Sequence, residues 1–286
     1  MSTTLATRFG ATCIVACVTA LAALMGSSPC EADAVAVVLP AEPAVPYEAL
    51  GVEGDLFVHE RFRSQRFGER RVFVFLPSEY ELFDERRYPV LYLLDAQNFF
   101  DPEIASGGEE WALDEILVRH PDGVPEMVLV GVQAGAHAVL EFAPPGSVPD
   151  AQGEEYVRFL ADELKPFIDA QYRTRPEAAS TRIVGQGQSA ALAVYAAWER
   201  GETFSGAIAL DFPDLDRQTL EWALHPPRVG RPWIWLEQTW SERSRTSTTG
   251  IVASLQRHAD VQVAVTSATM HRAARVLAAL RAMSLR

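Results

Sequence analysis

The sequence predicts an α/β fold: a mostly parallel central sheet with helices on both faces. Short runs that are apolar at nearly every position recur along the chain, among them PVLYLL at 89–94 and MVLVGV at 127–132. Amphipathic stretches of helical spacing lie between them. A strand without polar alternation is buried on both faces, and a sheet of such strands needs helices on each side. The bulk numbers agree. The chain has 286 residues, 48% of them hydrophobic and 22% charged, which suits one packed α/β domain.

The elements follow in order. Arg71–Leu76 (RVFVFL) reads as a strand stopped by Pro77. Pro89–Leu94 is a buried strand ending at Asp95. Trp111–Val118 has helical spacing, and Met127–Val132 is the next buried strand. Over Glu154–Ala170, Tyr156, Phe159, Leu160, Leu164 and Phe167 share one side of a helix. Arg182–Val184 is a short strand, followed by a helix over Ala190–Trp198. Ala207–Leu210, Pro232–Leu236 and Val261–Val265 complete the strands, and a last helix runs over His271–Met283.

Ahead of this lies a leader. Arg8 gives a positive start, Phe9–Met25 is apolar and uncharged, and Ala32-Asp33-Ala34 is an A-x-A cleavage signal. The pattern is that of a signal peptide over 1–34, so the protein is expected to be exported, to the periplasm or beyond. The apolar run is short of the roughly 20 residues a membrane span needs, and no span is expected after cleavage. An uncleaved anchor is the competing reading. Residues 35–51 are Ala/Pro-rich and read as a linker, and 52–286 as the folded domain. Cys13, Cys17 and Cys30 all precede the cut. The mature chain then has no disulfide, no thiol nucleophile and no Cys-based zinc site. The net charge of -13 argues against nucleic acid as a partner.

Ligands of such sheets sit at the carboxyl ends of the strands. One strand end reads Gly185-Gln186-Gly187-Gln188-Ser189 and leads into a helix. The small residues suit the strained strand-to-helix turn written G-x-S-x-G in hydrolases. Laid on that pattern, the central position is Gly187 and the hydroxyl is missing. A shifted register would make Ser189 the nucleophile. It would extend the strand through Gln186 and bury that amide without an evident partner. In the first register Ser189 is a capping residue at the helix start.

Several stretches together resemble the putative-esterase family of α/β-hydrolases, which includes enterochelin esterases and esterase D. They are RVFVFLPSEY at 71–80, YPVLYLLDAQNFF at 88–100, WALDEIL at 111–117, FLADELKPFIDAQYRT at 159–174 and FSGAIAL at 204–210. The resemblance runs from about Arg70 to the C-terminus and implies an α/β-hydrolase fold acting on a small-molecule ester or related ligand. Tyr195-Ala196 fixes the family's register and sets Gly187 at the nucleophile position. The resemblance places oxyanion-type N–H donors at Gln97 and Gln188, with Asp95 and Trp111 lining the substrate. It places the acid at Glu242, with Glu237 as the alternative, and the histidine at His271. Nucleophile position, acid and histidine then stand in hydrolase order. His59, His120, His137, His225 and His258 have no comparable placement.

The chain departs from the family at several of these points. Ala96 replaces a glycine, and Ala138 stands where the family's R-x-x-E-F arginine belongs, ahead of Glu141-Phe142. The glycines before the histidine are absent. No cofactor is implied. A metal at Asp211, Asp214 and Asp216 is a weaker reading than helix capping by Asp214 or Asp216. Three functions remain to be weighed: a catalytically impaired esterase-like domain with a retained cleft; an active ester hydrolase using Ser189, His271 and Glu242; and an interaction protein using Trp233, Trp235 and Trp240.

Overall fold

The structure is a computed structural model that describes residues 42–49, 51–106, 108–119, 122–213, 221–239, 251–266 and 270–284. The proposed leader, Glu242, Asp214, Asp216 and Trp240 lie outside the described residues.

Nine strands form one sheet in the order β1-β2-β3-β5-β4-β6-β7-β8-β9. They are β1 (Val45–Pro46), β2 (Asp55–Ser64), β3 (Gly68–Leu76), β4 (Val90–Leu94), β5 (Val128–Val132), β6 (Thr181–Gln186), β7 (Gly206–Leu210), β8 (Trp233–Thr239) and β9 (Asp260–Thr266). From β5 to β9 every neighbouring pair is parallel. β1, β2 and β3 add an antiparallel edge. Each run read as a continuous apolar strand is a strand of the parallel part or its β3 neighbour.

Alternate side chains serve opposite faces. Val90, Tyr92 and Leu94 of β4 enter one core, and Leu91 and Leu93 the other. The first core is covered by α4 and α5. Helix α4 runs as α-helix Gly153–Arg158, π-helix Phe159–Leu164 and α-helix Lys165–Gln171, and α5 is Gln188–Glu199. The second core is covered by α1 (Gln97–Phe100), α2 (Leu113–Arg119) and α6 (Arg272–Ser284), while the short α3 (Ala138–Glu141) lies after β5. Pro166 begins the last part of α4, where its missing N–H and its ring would obstruct regular helix, and the π-turn precedes it. The five residues assigned to one side of this helix are all buried.

Three boundaries differ from the sequence reading. β2 has no counterpart in it, because His59, Glu60 and Arg61 interrupt its apolar alternation and its register shifts between His59 and Phe62. The described end of the expected linker is tied down: Val45 pairs with Val58, and the Tyr47 N–H donates to the Leu56 carbonyl at 2.8 Å. Helix α2 starts after Trp111, because Ala112 has a φ of 53°. No helix among the described residues is long and apolar enough to cross a membrane.

Phe159 is fully buried in a ring of Phe62, Phe67 and Tyr156. Phe159→Ala is expected to lower unfolding free energy by about 3–5 kcal/mol, read from urea denaturation.

Candidate functional site

The strand order reverses between β4 and β6. From β4 the chain moves on to β5 on one side, and from β6 it moves to β7, β8 and β9 on the other. Such a reversal opens a crevice at the carboxyl ends of the two strands. Here the crevice is flanked by Asp95–Gln97 after β4 and Gly187–Ser189 after β6.

Gly187 is the tip of the second turn, with φ 57° and ψ -121°. That backbone is costly for a residue with a side chain and easy for glycine. Its N–H donates to the Leu210 carbonyl at 2.9 Å, which binds the turn to the end of β7. A Cβ placed here would meet no atom within 4 Å, so the space above the tip is open. Gly185 is the opposite case, since a Cβ there would lie 2.2 Å from the Ser189 carbonyl oxygen. The helix can start this close to the strand only over a glycine.

Ser189 lies in the first turn of α5 and is buried. Its Oγ accepts from the Gln186 N–H at 2.9 Å and donates to the Gln186 carbonyl at 3.0 Å. The hydroxyl therefore points back and closes the turn instead of facing the crevice. It caps the last residue of the strand, not the helix N–H groups the sequence suggests. Gln186 also differs from the sequence expectation. β6 does run through Gln186, which pairs with Leu210. Its amide has partners after all: it accepts from Trp111 Nε1 at 2.5 Å and donates to Asp211 Oδ2 at 3.2 Å.

At the first turn the positive φ falls on Asp95, at 65°, while Ala96 is ordinary right-handed helix at -61°. Aspartate tolerates the left-handed region better than most residues. The turn therefore asks for no unusual backbone conformation of Ala96. Its methyl fits because the facing residue is Gly131, where a Cβ would lie 2.5 Å from it. Gln97 accepts from the Ala134 N–H at 3.0 Å and donates to Asp95 Oδ1 at 2.5 Å. Burial raises the Asp95 pKa, and hydrogen bonds from Gln97 and Asn98 oppose it. The backbone N–H groups of Gln97 and Gln188 belong to the first residues of α1 and α5, where N–H groups have no partner within the helix. The side chain of Gln188 is exposed and donates to the Val139 carbonyl at 2.6 Å.

Trp111 lies beneath the crevice. Its ring is fully buried and its Nε1 is used by Gln186, so it forms the floor and does not line an open wall. The Arg275 guanidinium lies 5.1 Å from its ring centroid.

The carboxylate that the structure brings to the strand ends is Glu237, on β8 and fully buried. It accepts from Arg275 Nε at 2.9 Å and Arg275 Nη2 at 2.5 Å, from the Asp211 N–H at 2.9 Å, and from Thr266 Oγ1. Arg275 also binds Asp211. Burial pushes the Arg275 pKa down, but the hydrogen bonds it donates to Glu237 and Asp211 reverse this, and the guanidinium stays charged. Sequence reasoning missed Arg275 and Asp211 as site residues. The available signal was an arginine on the apolar side of the last helix, beside Val276, Ala279 and Leu280.

His271 is exposed at the start of α6. Its Nδ1 accepts from the Ala273 N–H at 3.3 Å, and its carbonyl accepts from Ala274 and Arg275. It is placed as a helix-start residue. Glu141 is buried and pairs with Arg70 Nη2 at 2.7 Å, so β3 supplies a cation to the glutamate that follows Ala138. Trp233 is buried and Trp235 half-buried against the second core, which removes the motive for an interaction surface built on them.

Among the described residues, Glu110, Asp114 and Glu115 are the carboxylates grouped closely enough to share an ion, with oxygens within 4.8 Å of one another. Burial, together with the neighbouring Glu115, raises the Asp114 pKa to about 8. Burial and Glu115 raise that of Glu110 to about 7. Such a group holds protons near neutral pH.

A mostly parallel sheet with helices on both faces, reversing at a strand-turn-helix of this form, defines the α/β-hydrolase class. The chain belongs to the Putative esterase family, whose sequence profile matches residues 64–276. No curated protein matches it by sequence. Among solved structures it is similar to an IroE-like serine hydrolase from Shewanella oneidensis, at 18% identity and a TM-score of 0.62, with 79% of each chain covered. It is also similar to a ferulic acid esterase, at 16% identity and a TM-score of 0.60, covering 80% of this chain and 98% of that one. A third likeness is to the enterobactin esterase FES from Shigella flexneri, at 17% identity and a TM-score of 0.59. That match covers 83% of this chain and 60% of the Shigella protein. At these identities the likeness is one of fold.

The carboxyl cluster yields a pH prediction. Folded Asp114 keeps its proton to about pH 8, whereas an unfolded aspartate releases it near 3.9. Between these values the unfolded state binds fewer protons, so this group's contribution to stability falls as pH rises. Asp114→Asn is expected to lose less thermal stability than wild type between pH 5 and pH 8. An equal loss in both proteins would contradict the assignment.

Proposed function

We propose that the protein is an exported member of the esterase family that has lost serine-type hydrolysis and retains a cleft for a small-molecule ester or a related ligand. The observation that carries this is the tip of the turn after β6: the residue there is Gly187, which has no hydroxyl to offer. Ser189 does not substitute, because its Oγ is buried and bonded in both directions to Gln186. The likeness of the fold to a ferulic acid esterase and an enterobactin esterase supports an ester-like ligand. The leader pattern at 1–34 supports export.

Loss of the serine from a triad leaves about 10³–10⁴-fold acceleration over water at most, from binding and the oxyanion site. The mature protein is therefore expected to hydrolyse p-nitrophenyl acetate no faster than this and to resist covalent labelling by a fluorophosphonate. Ser189→Ala should leave both results unchanged while lowering stability by about 1–3 kcal/mol, because it removes the clasp on Gln186. Labelling of wild type that disappears in Ser189→Ala would overturn the proposal in favour of a serine esterase acting through Ser189.

A further inference from the structure

We infer that Arg275 is a positioning residue that occupies the seat of an acid-bound imidazole, and that it blocks hydrolysis independently of Gly187. This rests on the proposed loss of the nucleophile at Gly187.

His271 and Arg275 are four residues apart, so they lie on one side of α6, one turn from each other. The histidine is outside, at the start of the helix. The arginine is inside, at 7% exposure, against a carboxylate with none. Glu237 gives both its oxygens to the guanidinium. Its other partners are Thr266 and the Asp211 N–H. Little of the Glu237 acceptor capacity is then left for an imidazole. The contacts lead on to the turn itself: Arg275 binds Asp211, Asp211 accepts from Gln186, and Gln186 immediately precedes Gly187. Asp211 in turn follows Leu210, whose carbonyl takes the Gly187 N–H.

An arginine in this seat does not act as a base. Guanidinium has five N–H donors, no acceptor, and a pKa above about 12. It cannot take the proton of a hydroxyl placed at residue 187. Restoring the serine alone therefore leaves the site without a base next to Glu237.

The test compares four full-length mature proteins: wild type, Gly187→Ser, Gly187→Ser with Arg275→His, and Gly187→Ser with Arg275→Lys. Each is checked for folding by circular dichroism and then treated with a fluorophosphonate. In a productive reaction the introduced hydroxyl oxygen attacks phosphorus, fluoride leaves with its bonding pair, and the hydroxyl proton passes to the imidazole. Wild type, Gly187→Ser and the lysine variant are expected to stay unlabelled. The histidine variant should label at least tenfold faster than Gly187→Ser, with a rate that rises with pH through the imidazole range. A purely structural role for Arg275 would affect the lysine and histidine variants alike and would give no such pH profile. If Gly187→Ser labels as fast as the histidine variant, or if the folded histidine variant stays as inert as Gly187→Ser, the block at Arg275 is refuted. If the histidine variant fails to fold, Gly187→Ser with Arg275→Ala and added imidazole takes its place: labelling that imidazole speeds at least tenfold upholds the block, and no such gain in the folded protein refutes it. Labelling of wild type would instead refute the loss of the nucleophile.

Discussion

The close approach of β6 to α5 governs the rest of the site. The helix starts three residues after Gly185, with the Ser189 carbonyl where a side chain at 185 would be. That approach forces the chain to reverse within one residue, and Gly187 takes the positive φ that the reversal requires. The same turn is closed from inside by Ser189 and from outside by Leu210. An esterase needs this turn to hold a serine up to its substrate. Here the turn is intact and the tip is bare. On the proposed reading, fold and chemistry have separated at this point, because the constraints on the turn come from packing and those on its tip from reaction.

The second constraint is electrostatic. Glu237 is fully buried, and a carboxylate in that position must be paired. In the hydrolase pattern an imidazole shares that duty, and it must be able to lose its proton to serve as a base. A guanidinium meets the pairing requirement more fully and the chemical requirement not at all. Breaking such a buried pair typically costs about 3–5 kcal/mol, so once Arg275 was in place it became part of what holds α6 to the sheet. Arg70 stands in a similar relation to Glu141. In both places an arginine from another element pairs with a buried glutamate.

Much of the fold could be read from the sequence for a simple reason. The strands of the parallel part are apolar on both faces, and their signal is local. β2 escaped because one of its faces carries Glu60 and Arg61 and its register shifts midway. The turn at Gly187 was legible through its small residues and through the helix that follows. The surroundings of the turn were not. Gln186 looked unpartnered because its partners, Trp111 and Asp211, lie 75 and 25 residues away. Arg275 looked like one more charge on a helix because Glu237 and Asp211 lie 38 and 64 residues before it. Ala96 reads in the sequence as a lost glycine, whereas the positive φ of the turn falls on Asp95. Local pattern shows where a site is, and only the long-range pairs show which protons it can move.

These pairs also bear on how the departures from the family relate to one another. Ala96 is absorbed by Gly131, and the glutamate after Ala138 is paired through Arg70, so neither leaves an unmet charge or a clash. Gly187 relieves backbone strain, and Arg275 neutralises a buried acid. On the proposed reading, the residues at Gly187 and Arg275 supply neither nucleophile nor base. A site under selection for hydrolysis keeps strained and incompletely paired groups because the reaction needs them. A site released from that demand would drift toward relaxed backbone and satisfied charge, which is the pattern that the proposed loss of hydrolysis predicts at these positions.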